Sequence, residues 1–184
     1  VQGGLNYDTR MKSLETVSQM DLPGYALGGL SVGEPIQLMH KILSTVGHQM
    51  PQEKPRYVMG IGTPLDIITA IDSGIDMFDC VMPTRNGRNA MLFTTNGVIN
   101  IDNKKWEKDL SVIDEGFDCP MSNYYSKAYL RHLMKSKEFL GLTIASVHNL
   151  AFYLWLVGEA RKQIMAGNYQ SWKTEMIPRL QTRL

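Results

Sequence analysis

Arg56-Tyr57-Val58-Met59-Gly60-Ile61-Gly62-Thr63-Pro64 carries the fold in miniature. Residues 56–59 read as a short apolar strand, Gly60 and Gly62 open a turn, and Pro64 after Thr63 starts a helix that should reach about Asp72. Proline suits a first helical position, because the N–H it lacks is one that a helix start leaves unbonded anyway. The same order recurs on both sides. Upstream, residues 25–30 form an apolar strand that meets Ser31-Val32-Gly33-Glu34 and then a helix from Pro35 to about Leu43. Downstream, Asp76-Met77-Phe78-Asp79-Cys80-Val81 reads as a strand that ends in the polar loop Pro83-Thr84-Arg85-Asn86-Gly87-Arg88-Asn89. Strands alternating with helices predict an α/β fold of parallel βα units. A doubly wound sheet and a barrel fit that alternation equally well.

Past Asn89 the pattern changes. Residues 90–94 and 98–101 flank Thr95-Asn96-Gly97, and Asn-Gly between apolar runs predicts a hairpin. Residues 102–123 are polar and irregular. Residues 125–134 and 145–165 read as helices, the second with Leu150, Tyr153, Leu154, Val157 and Ala160 on one buried face. Gly167 suits a C-cap, and the tail from Ile177 to Leu184 is expected to fray. The expected division is residues 1–101 (βα units plus hairpin), 102–148 (a small subdomain) and 149–184 (a C-terminal helix and tail).

The 184 residues are 43% hydrophobic, enough for a sizeable core, and the net charge is only +1. Any nucleic-acid contact must then come from a local basic cluster. Cys80 and Cys119 are too few for a disulfide framework, which suits a reducing cytosol. No run approaches the roughly 20 apolar residues that span a bilayer, so no membrane partner is expected. Val1-Gln2-Gly3-Gly4 reads as a strand end running into a glycine turn, so the sequence is expected to be part of a longer protein.

In parallel α/β folds, functional groups gather in the loops after the strands. Here those loops hold glycines, one amide (Gln2), one thioether (Met59) and a carboxylate (Asp79) followed by Arg85 and Arg88. Glycines let a flat ligand approach backbone groups, and a strand-end carboxylate can act as nucleophile, base or metal ligand. Plainer roles compete. Such an aspartate also serves as a cap, Met59 as core packing, and Arg85 and Arg88 as solvated loop charges.

The motifs VQGG (1–4), GGLSVGE (28–34), RYVMGIGTP (56–64), DMFDCVMPTRNGRN (76–89), YSKAYLRHL (125–133) and HNLAFY (148–153) resemble the bacterial tRNA-guanine transglycosylases in order and spacing, to about residue 170. The resemblance implies the C-terminal half of a (β/α)8 TIM barrel with an added small subdomain that normally binds zinc. It implies exchange of guanine at the tRNA wobble position for preQ1 (7-aminomethyl-7-deazaguanine), a step of queuosine biosynthesis, through an aspartyl-ribose ester. Asp79 matches the nucleophile. Gln2, Gly28, Gly29 and Leu30 match the groups that read the base, and Met59 with Gly60 its stacking floor. Val32 matches the side chain that favours preQ1 over the bulkier queuine, with Glu34 near the aminomethyl group. Arg85 and Arg88 match tRNA contacts. The implied partners are tRNA with GUN anticodons, preQ1 or guanine, the enzyme's N-terminal half and a second subunit in a cytoplasmic homodimer.

Two departures stand out. The family binds structural zinc through Cys-x-Cys-x2-Cys and a later His, whereas here Phe117 and Ser122 stand at two of those positions, leaving Cys119 and His148. Structural zinc takes about four ligands, so a metal-free, cofactor-free chain is expected. A whole barrel takes ~250 residues, so the acid/base aspartate falls outside this sequence and the chain alone is expected to be inactive. A non-catalytic tRNA-binding partner subunit of the same family is the alternative. An unrelated phosphate-binding barrel fits less well, because the glycines are dispersed over several loops.

Overall fold

The computed structural model describes residues 1–119 and 121–184. The chain divides into two compact units, Val1–Val81 and Met82–Leu184. The hairpin grouped above with the βα units thus falls in the second unit.

The first unit runs α1 (Tyr7–Ser18), β1 (Tyr25–Leu27), α2 (Ile36–Val46), β2 (Arg56–Val58), α3 (Pro64–Asp72) and β3 (Met77–Phe78). The strands are parallel in the order β1-β2-β3, with Tyr25 opposite Arg56 and Tyr57 opposite Met77. This is the predicted α/β alternation. α3 starts as expected, with Pro64 in its first turn and the Thr63 side chain accepting from Asp66 N–H. The strands are shorter than predicted for a backbone reason. Gly29 (φ +64°), Ser31 (φ +59°) and Gly60 (φ +73°) turn the chain left-handed just past β1 and β2. Leu27 and Val58 of the sheet pack with Leu43 and Val46 of α2 and Ala70 of α3 in one fully buried core. α1 was not anticipated. Asn6 caps it by accepting from Thr9 N–H (2.9 Å), yet among its residues only Arg10 and Leu14 are buried, so it shows little apolar period.

The second unit runs α4 (Met82–Arg88), β4 (Met91–Thr94), β5 (Gly97–Asn100), α5 (Lys127–Lys135), α6 (Phe139–Met165) and α7 (Tyr169–Gln181). β4 and β5 form the predicted hairpin, with Thr94 opposite Gly97 around a Thr95-Asn96 turn. Residues 83–89, read as a loop, are mostly helix α4. The tail does not fray: α7 reaches Gln181, then Val98 N–H donates to Thr182 O (2.9 Å) and Leu184 N–H to Val98 O (3.0 Å), covering the hairpin edge.

α6 begins six residues before the predicted Ala145. Gly141 and Thr143 are poor helix formers and hid that start. Gly141 is needed there because a Cβ would sit 3.0 Å from the Leu133 Cβ of α5. By length and composition α6 has what a bilayer-crossing helix needs. Its buried face, however, carries two polar residues bonded to β4. Asn149 Oδ1 accepts from Phe93 N–H (3.0 Å), and its Nδ2 donates to Pro83 O and Met91 O (2.9 Å each). The His148 ring reaches Phe93 O at 2.8 Å. α6 is therefore the core helix of its unit.

Asn149→Leu strands a buried donor, a buried acceptor and a part-buried acceptor, so we expect a loss of roughly 3 kcal/mol in urea unfolding. Leu150 and Leu154, expected on the buried face, are in fact exposed, so Leu154→Gln should change stability by less than about 0.5 kcal/mol. Equal effects would mean that the Asn149 network does not hold the unit.

Candidate active site

The site builds from the first unit's loops. Gln2 lies against the Gly28-Gly29 turn so closely that a Cβ on Gly28 would stand 2.5 Å from Gln2 Nε2, and one on Gly29 2.6 Å from Gln2 Oε1. The Gly28 Cβ would also meet Met59 Sδ at 3.1 Å. Gln2, Gly28, Gly29 and Met59 are thus gathered at one place, and glycine is required for the closeness. Beneath them sits Arg10, fully buried. Its Nε donates to Gly4 O (2.7 Å), Nη1 to Gly28 O (3.0 Å) and Val1 O (3.4 Å), and Nη2 to Gly29 O (3.1 Å). Burial lowers the guanidinium pKa, and the charge of Glu34 partly offsets this.

Glu34 closes its own loop. One carboxylate oxygen accepts from Ser31 N–H (2.5 Å), the other from Val32 N–H (2.9 Å). Burial opposes its ionisation, but the backbone N–H groups of residues 31–34 outweigh that and hold the carboxyl below its usual range. Leu30 is buried, whereas Val32 is 81% exposed and free to meet a ligand.

Asp79 stands just past β3. Its Oδ1 accepts from the Tyr57 hydroxyl (2.5 Å) and from Gly60 N–H (2.9 Å). First Tyr57 and then Gly60 hold the carboxyl below the usual aspartate range, against slight desolvation, and the same bond raises the Tyr57 phenol. Gly60 meets nothing at a built Cβ; its φ of +73° is what requires glycine. Asp79 is exposed, and its second oxygen has no hydrogen bond among the described residues. One oxygen fixed and the other open is the arrangement of a carboxylate that can attack. Tyr57 was missed in the sequence, although strand period could have found it. Tyr57 pairs with Met77, and Asp79 lies two residues on, which puts all three on one face.

A profile of the queuine tRNA-ribosyltransferase family matches residues 1–182. The queuine tRNA-ribosyltransferase of Clostridium acetobutylicum is 47% identical over 176 residues, covering 96% of this chain and 47% of that protein. That of Francisella tularensis subsp. mediasiatica is 46% identical over 177 residues, covering 96% and 48%. The chain belongs to the queuine tRNA-ribosyltransferase family. It spans about half the length of the curated relatives it matches.

Within this family assignment, the other expected positions fall in the second unit. Arg85 and Arg88 lie on α4, both exposed. The four positions matched above to zinc ligands lie together. The Phe117 ring meets His148 edge-on at 5.7 Å, and Ser122 Oγ lies 3.1 Å from His148 Nδ1. His148 Nε2 faces the carbonyl of Phe93, which only accepts, so Nε2 carries a proton, and Nδ1 pairs with Ser122 Oγ. Cys119 is buried beside them. Burial raises its pKa, but bonding by His148, Ser122 and the Met121 backbone brings it down to about 6. Two donors do not fit a structural zinc, and no group of three or more metal-ligating side chains occurs among the described residues. His40 Nε2 lies 2.7 Å from Asp66 Oδ1.

Because Asp79 is held below its usual pKa by Tyr57, Tyr57→Phe should move the Asp79 titration to higher pH. The carboxylate would then lose its charge earlier as pH falls. Carboxyl carbon NMR of labelled protein reads this directly, and an unmoved titration would mean that the Tyr57 bond does not form in solution.

Proposed function

We propose that this chain is the nucleophile-bearing half of a tRNA-guanine transglycosylase that installs preQ1 at the wobble position of tRNAs with GUN anticodons. The observation that carries the reading is the Asp79 carboxylate, pinned through one oxygen by Tyr57 and Gly60 and adjoining the Met59, Gly28 and Gln2 cluster. The free oxygen attacks C1′ of the target ribose, and the glycosidic bond breaks. Its electron pair leaves with guanine, which takes a proton from an acid supplied outside this chain. The product is a ribosyl ester of Asp79. The ring nitrogen of the incoming base then attacks the same carbon, loses its proton, and returns the electron pair to Asp79. A carboxylate suits both steps because it is displaced as readily as it adds at an oxocarbenium-like centre.

Gln2 and the Gly28-Gly29-Leu30 backbone read the base edge, and Met59 over Gly60 stacks on its face. Val32 limits the size of the 7-substituent. Glu34 faces the aminomethyl group, since each of its oxygens keeps a lone pair beyond the loop bond. Arg85 and Arg88 hold phosphates around the extruded nucleotide. Three parallel strands with intervening helices fit part of a (β/α)8 barrel, to be completed by an N-terminal half that brings the acid/base group. This half alone is inactive; the whole works in the cytoplasm as a homodimer.

Labelled guanine incorporation into tRNA by the full-length gene product tests this. Exchange that falls by on the order of 10³-fold or more in Asp79→Asn supports the reading. A folded protein that binds tRNA without exchange would favour a non-catalytic partner subunit instead.

We further propose that the chain needs no metal, with Phe117, Cys119, Ser122 and His148 packing as a hydrogen-bonded core in place of a zinc site. Purified protein should hold far less than one zinc per chain and keep its melting temperature in chelator. Phe117→Cys with Ser122→Cys should acquire one zinc. Stoichiometric zinc in the unaltered protein would sink the proposal.

A further inference from the structure

Arg10 has no place in the scheme above, yet it is the largest fully buried side chain. All four of its hydrogen bonds end on backbone carbonyls, those of Val1, Gly4, Gly28 and Gly29. Those carbonyls come from the two loops that also place Gln2 and the Gly28-Gly29 turn. A buried guanidinium so bonded is costly to replace, because the Gly28 carbonyl it leaves would be an unsatisfied buried acceptor.

The consequence follows from the planarity of the peptide bond. In a trans peptide the C=O of one residue and the N–H of the next point in opposite directions. Arg10 draws the Gly28 and Gly29 carbonyls toward itself, so the N–H groups of Gly29 and Leu30 are turned the other way. Neither N–H has a hydrogen-bond partner among the described residues, and Gly29 is exposed. These two unpaired donors belong to the turn that packs against the Gln2 side-chain amide. They form a receptor for a single strong acceptor, such as the exocyclic oxygen of a 6-oxopurine. The left-handed φ of Gly29 (+64°) is what lets consecutive carbonyls share one guanidinium.

We propose that Arg10 is a positioning residue for base recognition: by holding the Gly28 and Gly29 carbonyls it aims the Gly29 and Leu30 N–H groups at the 6-oxo group of the base. This rests on the transglycosylase reading, and it adds the device that sets base specificity without touching the base. Lysine cannot replace it, since one ammonium cannot span carbonyls from separate loops in the fork geometry of a guanidinium.

The test compares guanine with 2-aminopurine, which lacks the 6-oxo group, by calorimetry on the full-length protein and its Arg10→Lys variant. The unaltered protein should prefer guanine. Arg10→Lys should weaken guanine by about tenfold, the worth of a hydrogen bond to a preset donor pair. It should leave 2-aminopurine and the KM for tRNA within about twofold. A merely structural role would weaken both purines together, and that result overturns the inference. So does equal discrimination in protein and variant, which leaves the transglycosylase reading intact. Unaltered protein that binds neither purine overturns both. If Arg10→Lys does not fold, unaltered protein labelled with 15N-glycine decides. The Gly29 amide signal should shift with guanine and not with 2-aminopurine; a shift with neither, or with both alike, sinks the proposal.

Discussion

A guanidinium buried without a hydrogen-bonded carboxylate is the constraint on which the first unit's site depends. Arg10 is satisfied by four carbonyls, so its charge is spread over peptide dipoles. Those carbonyls belong to loops with little regular structure of their own: β1 stops at Leu27, and Val1 is bonded to β1 through its amino group to Ala26 O (2.5 Å) and to the residue after β1 through Gly28 N–H to Val1 O (3.1 Å). Without a central donor set, two glycine-rich segments would wander, since glycine gives up more conformational freedom on ordering than any other residue. The glycines are required for close approach to Gln2, and Arg10 supplies the order that they lack.

The second unit solves a different problem with similar means. A two-stranded hairpin is marginal by itself, and both its outward edges need partners. Phe93 and Val98 face one another across the hairpin and turn their N–H and C=O groups outward. On one side Asn149 and His148 of α6 take both groups of Phe93; on the other, Thr182 and Leu184 take both groups of Val98. Helix and tail thereby close the sheet from its two edges. His148 joins this closure to Ser122, which pairs with its second nitrogen at 3.1 Å. His148 thus ties the hairpin to its neighbours through both ring nitrogens.

What could be read in the sequence divides along physical lines. The βα alternation, the Pro64 helix start and the hairpin around Thr95-Asn96 were legible, because each is a local pattern with its own turn or cap chemistry. The strand ends were not, since Ser31 adopts a left-handed φ of +59° that its residue type does not announce. α1 was hidden because its largest buried residue is a charged Arg10, the reverse of an apolar stripe. In the site, the motif residues drew attention and their supports did not. Tyr57 and Arg10 act through other residues, so their importance is visible only when the atoms they touch are known.

The two carboxylates show how far geometry alone assigns roles. Glu34 and Asp79 are both acids held below their usual range by hydrogen-bond donors from nearby chain. They differ in which oxygens are engaged. Glu34 accepts a backbone N–H on each oxygen, so it fixes the loop that contains it and meets a ligand only through remaining lone pairs. Asp79 accepts both donors on Oδ1 and leaves the other oxygen open. Two bonds on one oxygen lock the side-chain torsion while drawing less charge from the other oxygen than a bond to each would. That is the difference between a carboxylate engaged at both oxygens by its own loop and one with an oxygen left open, and it would hold with the names of the residues exchanged.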